Sequence, residues 1–312
     1  MLQLRPEISQ TVGNAVLITG VARSGTTIMG TLIHSLESLE FLFEPPLLYG
    51  LFPLLGKLDE AAWKYLYETY LFEDFLLDAM AGRRLNFNKY DDSSIHKVKS
   101  PQDVDARLDS RYHRLDLFRQ AVNHRIAYKM PDMLPQIDVL TKYYPDMKVV
   151  IMFREPEAVV DSLVRKRWFA PESRTSDVIQ GPWLQLGPDI PFWVRNTAEW
   201  QQASELEKAY LYYIWQNEAL TLRFNLYSVA DSIGTGDKRY CIVDYDDFVM
   251  NPVAEFQKVM HFLGCKPTPK TAELLKTVGY QQQNGTIEQS LDVVNPELRS
   301  RVMKILERMN YV

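Results

Sequence analysis

The sequence predicts an α/β fold, a P-loop-like parallel sheet flanked by helices, with helical and loop insertions on one side. Three observations predict it. Apolar runs of strand length alternate with segments of helical period along the 312 residues, the pattern of a parallel sheet with helices on both faces. Two of those runs pass directly into helix starts. The turns between carry residue types that hold phosphate, and they fall at carboxyl ends of strands, where open α/β sheets bind ligands.

The first run, Ala15-Val-Leu-Ile18, reads as a buried strand, and Ile28 to Leu36 as an apolar-faced helix. Between them lies Thr19-Gly-Val-Ala-Arg23-Ser24-Gly25-Thr26-Thr27. A strand, a small-residue turn and a helix start form an anion cradle, because backbone N–H groups and the helix dipole converge on one point. Gly20 and Gly25 have the spacing of G-x-x-x-x-G-K-[ST], but Thr26 stands at the lysine position and the cation is Arg23. The displaced charge predicts a grip on a different 5′ group.

The other elements follow in order. Strands are expected near 40–43, 125–129, 147–153 and 239–243, besides 15–19. Helices are expected near 26–37, 60–80, 132–143, 156–167, 198–230, 252–263 and 296–309. The strand ending at Phe153 opens into Arg154-Glu-Pro-Glu-Ala-Val-Val-Asp-Ser162, with Pro156 in a first helical turn, where a missing N–H matters little. Arg154 offers a bidentate fork and Ser162 a neutral donor, both phosphate ligands by type.

Together these segments resemble the sulfotransferases that use 3′-phosphoadenosine 5′-phosphosulfate (PAPS). In that family a K/R-S-G-T-T loop, here Arg23, Ser24, Gly25, Thr26 and Thr27, holds the 5′-phosphosulfate. A strand-end arginine and a serine eight residues later, here Arg154 and Ser162, hold the 3′-phosphate. Val243-Asp-Tyr-Asp-Asp-Phe248, with Asn251-Pro252 and Phe262-Leu-Gly264, is similar to the family's "YEDL…P…FLG" segment. That match places Tyr245 near the adenine.

Phe41-Leu-Phe-Glu44-Pro-Pro46 is similar to the "FFLFEP" segment of carbohydrate 6-O-sulfotransferases, and the chain looks like the soluble bacterial kind. The resemblance implies Glu44 as the base toward the acceptor hydroxyl. The phenol and steroid enzymes instead carry a K-T-H strand end, whereas here Ala127-Tyr-Lys129-Met-Pro131 has no histidine after the lysine. Lys129 is carried over as a cation near the sulfonyl group. Arg23 and the loop would stabilise the departing phosphate, with no metal. Pro45-Pro46 is expected to keep a helix from starting at once after Glu44. The alternatives are a lipid, phenol or other small-molecule hydroxyl as acceptor, or a P-loop nucleotide kinase, which the missing lysine disfavours.

The bulk properties agree. A net charge of −5 argues against general nucleic-acid binding. Two cysteines, Cys241 and Cys265, are too few for a disulfide scaffold and suit a reducing compartment. No apolar run of membrane-spanning length appears, so a cytoplasmic location is expected. The five histidines have no metal-ligand spacing.

A single domain over 1–312 is expected, with acceptor-side insertions at about 45–120 and 168–200. The second contains Trp168, Phe169, Trp183, Phe192, Trp193 and Trp200 among prolines and glycines, as in a loop packed over a site. Thr277 to Gly285 is a candidate final nucleotide-contacting loop.

Overall fold

Every predicted apolar run lies in one parallel sheet of the computed structural model, which describes residues 4–109, 111–170, 185–187, 190–223, 239–279 and 291–309. In chain order the strands are β1 (Val16–Gly20), β2 (Leu39–Phe43), β3 (Arg125–Lys129) and β4 (Lys148–Phe153). A short antiparallel ribbon follows, β5 (Gln185–Gly187) with β6 (Ile190–Pro191), and then β7 (Tyr240–Asp244). The order across the sheet is β2-β3-β1-β4-β7, with each neighbouring pair parallel.

Both faces of the sheet are covered, which is why the strand sequences are continuously apolar rather than alternating. Val16, Ile18, Val150, Met152 and Val243 pack in one core with residues of the helices Thr26–His34 and Pro252–Leu263. Leu17, Val149, Ile151 and Phe153 face a second core that includes Trp63, Tyr67, Tyr128 and Tyr212. From β1 the chain moves to one side, to β2; from β4 it moves to the other, to β7. The crevice at the carboxyl ends of β1 and β4 is therefore the switch point of the sheet, the usual ligand position in such folds.

The helices largely match expectation, and the differences have local causes. The expected helix 60–80 is continuous but widens into eight residues of π-helix at Tyr70–Leu77, between Glu60–Thr69 and Asp78–Met80. The expected helix 198–230 is two helices, Thr197–Gln202 and Glu205–Arg223. Ser204 starts the second as a capping box: its hydroxyl accepts from the Glu207 N–H at 3.3 Å, and Glu207 Oε2 accepts from the Ser204 N–H at 2.9 Å. Residues 224–230 lie outside the described residues. The helix expected from 132 begins later, as a 3₁₀ turn at Leu134–Gln136 leading into Ile137–Tyr143, because Asp132 is left-handed at φ 67°.

One expectation is corrected outright. A helix does start at once after Glu44, at Pro46–Leu51. Pro46 occupies its first position, where the absent N–H has no intrahelical partner to lose.

The edge strand β2 carries a buried charge. Glu40 is 2% exposed and takes both arms of the Arg107 guanidinium, at 2.7 and 2.9 Å. Lys99 Nζ donates to the Leu39 carbonyl at 2.8 Å. These contacts hold the helices around residues 95–109 against the open edge. Burial alone would raise the Glu40 pKa, but the Arg107 fork and Lys99 outweigh it and hold the carboxyl at about 2. This depressed group adds stability that is present above its ordinary pKa of 4.5 and is lost as pH falls toward 2. Arg107→Ala leaves the Glu40 charge buried and unpaired. Urea denaturation at pH 7 should show a loss of about 3–5 kcal/mol; a loss under about 1 kcal/mol, the range of exposed pairs, would mean that the pair is solvated.

Candidate active site

The turn after β1 is built from backbone conformations that ordinary residues avoid. Arg23 has φ 75° and Gly25 φ 83°, and Gly25 caps the helix Thr26–His34. Gly25 also permits a close approach. A Cβ there would fall 2.3 Å from Cδ2 and 2.6 Å from Cε2 of Tyr245, so the tyrosine ring lies directly on the turn. Tyr245 is set there by Asp244 at the end of β7, whose Oδ1 accepts from the N–H groups of Asp246 and Asp247 at 2.8 and 3.0 Å.

Arg154, one residue past β4, joins the parts. Its Nη1 donates to the Arg23 carbonyl at 3.0 Å, and its guanidinium lies 4.4 Å from the Tyr245 ring centroid. Arg23 Nε in turn donates to Ser162 Oγ at 3.0 Å. The expected ligands Arg23, Arg154, Ser162 and Tyr245 thus meet in one place. Three buried polar atoms in this group have no hydrogen-bond partner among the described residues, the donors Ser24 Oγ and Arg154 Nε and the acceptor Asp244 Oδ2. Buried donors are normally satisfied. A hydroxyl and a guanidinium N–H left open beside a helix N-terminus fit an anionic ligand with phosphate oxygens.

A second group lies at the ends of β2 and β3, which are in register at Phe43 and Lys129. Lys129 is 4% exposed. It donates to Thr27 Oγ1 at 3.0 Å and to Glu44 Oε1, and its ammonium sits 4.3 Å from the Phe43 ring centroid. Burial lowers the Lys129 pKa, while the Glu44 charge and hydrogen bond oppose that fall. Glu44 is itself left-handed, at φ 42°, and its N–H donates to the Lys129 carbonyl at 3.0 Å. Its side chain is 29% exposed, so one end of the pair opens outward. Thr27 bridges the groups, because its helix begins in the anion turn.

Sequence reasoning passed over Asp132, Tyr212 and Tyr213. Asp132 follows Lys129 by three residues, and the Pro131-Asp132 turn dipeptide was the available signal. Burial, aided by the Glu44 charge, pushes its carboxyl up to about 7, against the Tyr212 and Ala22 hydrogen bonds and the Lys129 charge. Tyr213 donates to the Arg154 carbonyl at 3.1 Å. Nothing in the helix Glu205–Arg223 marks these tyrosines beyond core periodicity.

Of the described aromatics of the 168–200 segment, Phe169, Trp193 and Trp200 are buried, while Trp168 and Phe192 are half-buried. Trp193 stacks on Trp215 at 4.9 Å and 9°, and Trp200 meets Trp193 edge-on at 5.2 Å. Trp193, Trp200 and Phe169 are 8%, 5% and 5% exposed. Trp183 lies outside the described residues, as do residues 280–285 of the candidate final loop.

The fold and site define an α/β domain with a glycine-containing turn at its switch point, in which Arg23 is the cation and Thr26 stands at the lysine position of G-x-x-x-x-G-K-[ST]. A family model described as "Sulfotransferase family" matches residues 15–269. The chain belongs to the Sulfotransferase family, and with it to the transferases. No curated protein matches the sequence. Solved structures similar to it include the sulfotransferase domain of the Synechococcus PCC 7002 olefin synthase (18% identity, 96% of this chain and 94% of that one, TM-score 0.46). They also include the sulfotransferase domain from the curacin biosynthetic pathway (14%, 96% and 98%, 0.46) and a Mycobacterium avium sulfotransferase (15%, 97% and 79%, 0.49).

The packing of Tyr245 on Gly25 yields a prediction. Gly25→Ala strains the backbone and displaces the ring, and should destabilise the fold by about 1–3 kcal/mol. In a Tyr245→Ala background the same change should lose less, because the clash is gone and only the φ strain remains. Chemical denaturation of the four variants measures the coupling; additive effects would show that ring and turn do not touch.

Proposed function

We propose that this chain transfers a sulfonate group from PAPS to an acceptor hydroxyl. The observation that carries the reading is a pair of buried donors left open among the described residues, Ser24 Oγ in a loop without the lysine of G-x-x-x-x-G-K-[ST] and Arg154 Nε just past β4. Arg154 and Ser162 would hold the 3′-phosphate. Arg23, Ser24, Thr26, Thr27 and the turn's N–H groups would hold the 5′-phosphosulfate. Tyr245, already stacked on Arg154, would meet the adenine.

In the transfer the bond from sulfur to the bridging phosphate oxygen breaks, and its electrons leave on the phosphate. A new bond forms from the acceptor oxygen to sulfur, and the acceptor proton passes to Glu44. Charge builds on peripheral oxygens, so positioned cations and N–H groups supply most of the catalysis, as in phosphoryl transfer. Arg23 stays charged and stabilises the leaving phosphate without protonating it. Lys129 has three N–H donors; two are used by Thr27 and Glu44, and the third is available for a sulfonate oxygen.

The Phe41–Pro46 motif supports a carbohydrate hydroxyl, with the helices of 45–120 and the 168–200 segment forming the acceptor side. A second reading, an apolar acceptor, is favoured by the surroundings of Glu44. Phe43 and Leu47, on either side of it in the chain, are 36% and 53% exposed, whereas Trp193 and Trp200 are buried. Among the described residues no helix is long and apolar enough to cross a membrane.

Two experiments test the reading. Without magnesium, 3′,5′-ADP should raise the melting temperature, corresponding to about 2.7 kcal/mol at a hundredfold excess over its dissociation constant. Arg154→Ala should weaken 3′,5′-ADP by roughly 2–5 kcal/mol and 5′-AMP far less. Stronger stabilisation by magnesium ATP would move the chain to the kinases.

The second concerns Glu44. Glu44→Gln keeps the size and the Lys129 contact but removes basicity, so kcat should fall about 10²–10⁴-fold while 3′,5′-ADP affinity holds. Mass spectrometry of an acceptor panel with labelled PAPS supplies the assay. A variant with near-full kcat would place the base elsewhere.

A further inference from the structure

We propose that Asp132 is the positioning residue of the anion turn, holding Val21–Arg23 in its binding conformation from the side of the long helix Glu205–Arg223. The inference rests on the nucleotide reading above and extends it to a residue that no motif of the sequence contains.

The turn needs such a support. Arg23 is left-handed at φ 75°, a conformation that a long side chain adopts only when its surroundings impose it. Two side chains grip the backbone around that residue. Arg154 Nη1 holds the Arg23 carbonyl at 3.0 Å. On the preceding residue the Ala22 N–H donates to Asp132 Oδ1 at 3.4 Å. The turn is thus gripped at one peptide N–H by an acid and at the next residue's carbonyl by a base.

Asp132 is itself placed by four contacts that owe nothing to the turn's own flexibility. Its N–H donates to the Gly20 carbonyl at 3.0 Å, extending the β1–β3 pairing past the strand ends. The next N–H, of Met133, donates to Thr19 Oγ1 at 3.2 Å. Its carbonyl accepts from Gln216 Nε2 at 3.1 Å. Its Oδ1 accepts from the Tyr212 hydroxyl. Asp132 is left-handed as well, at φ 67°, and that turns the carboxyl back toward the loop instead of along the departing chain. The carboxyl is buried, with the residue 8% exposed, and its oxygen Oδ1 bonds the Ala22 N–H and the Tyr212 hydroxyl.

The long helix therefore supports both halves of the site. Tyr212 and Gln216 hold Asp132, and hence the Ala22 end of the turn. Tyr213, the next residue, holds the carbonyl of Arg154, and hence the Arg23 end. Residues of one helix set the separation between the two grips.

Asp132→Ala removes the grip. Asp132→Asn keeps an acceptor oxygen and a residue type that tolerates the left-handed region. Two readouts decide. In hydrogen exchange on the free protein, a peptide covering 20–27 should exchange at least tenfold faster in D132A than in wild type, with β4 unchanged. In calorimetry, D132A should bind 3′,5′-ADP at least tenfold more weakly while the acceptor KM stays put. D132N should restore both to within about threefold, a rescue that simple core damage would not permit. Should D132A fail to fold, Tyr212→Phe, which removes the hydroxyl that fixes Oδ1, should show the same two changes more weakly. Unchanged exchange and affinity in D132A, or in Y212F where D132A does not fold, would overturn the proposal. Faster exchange in D132A together with no 3′,5′-ADP binding by wild type would leave the support standing and refute the nucleotide reading instead.

Discussion

A single guanidinium ties the strand ends of this protein together. Arg154 leaves β4, grips the Arg23 carbonyl of the turn after β1 and lies against the Tyr245 ring at the end of β7. Its own carbonyl is held by Tyr213 of the long helix. Three parallel strands and a helix thus converge on one cation, which is 9% exposed. Such burial is tolerable only where the charge meets acceptors, aromatic faces or an anion. The open Nε is the part of that requirement that a ligand would complete.

Backbone strain is concentrated at the same end of the sheet. Among the described non-glycine residues, positive φ occurs at Arg23, Ser38, Glu44, Asp132 and Arg167. Arg23, Glu44 and Asp132 follow β1, β2 and β3, and each is fixed by partners outside its own loop. Strain held in this way persists because the surrounding structure over-determines it. Lys129 gives the clearest case: a lysine that burial disfavours is kept by Glu44, Thr27 and the face of Phe43.

The rest of the chain serves that end at a distance. The Glu40–Arg107 pair closes the open edge at β2, and the aromatic cluster around Trp193, Trp200 and Trp215 seats the long helix. Rigidity of that helix matters because successive residues on it, Tyr212 and Tyr213, hold the two sides of the anion turn. Trp193 and Trp200, expected in a loop packed over the site, are buried, and Trp193 packs on Tyr212 and Trp215 of that helix.

The sequence by itself determined the sheet and the strand–turn–helix unit after β1. Continuous apolar runs have no partner but a sheet buried on both faces, and glycines at 20 and 25 suit a tight turn from strand to helix. Arg154, Ser162, Lys129 and Glu44 were legible because each stands beside a strand end or on the helix that follows one. Only the tertiary structure decided how they combine. That Arg23 meets Ser162 across 139 positions, or that Lys129 joins Glu44 across 85, depends on strand order, which local pattern does not encode. The roles of Asp132, Tyr212 and Tyr213 were hidden for the same reason. A buried aspartate and two core tyrosines look like packing until the crossing of helix and loop brings a carboxyl to the Ala22 N–H and a hydroxyl to the Arg154 carbonyl.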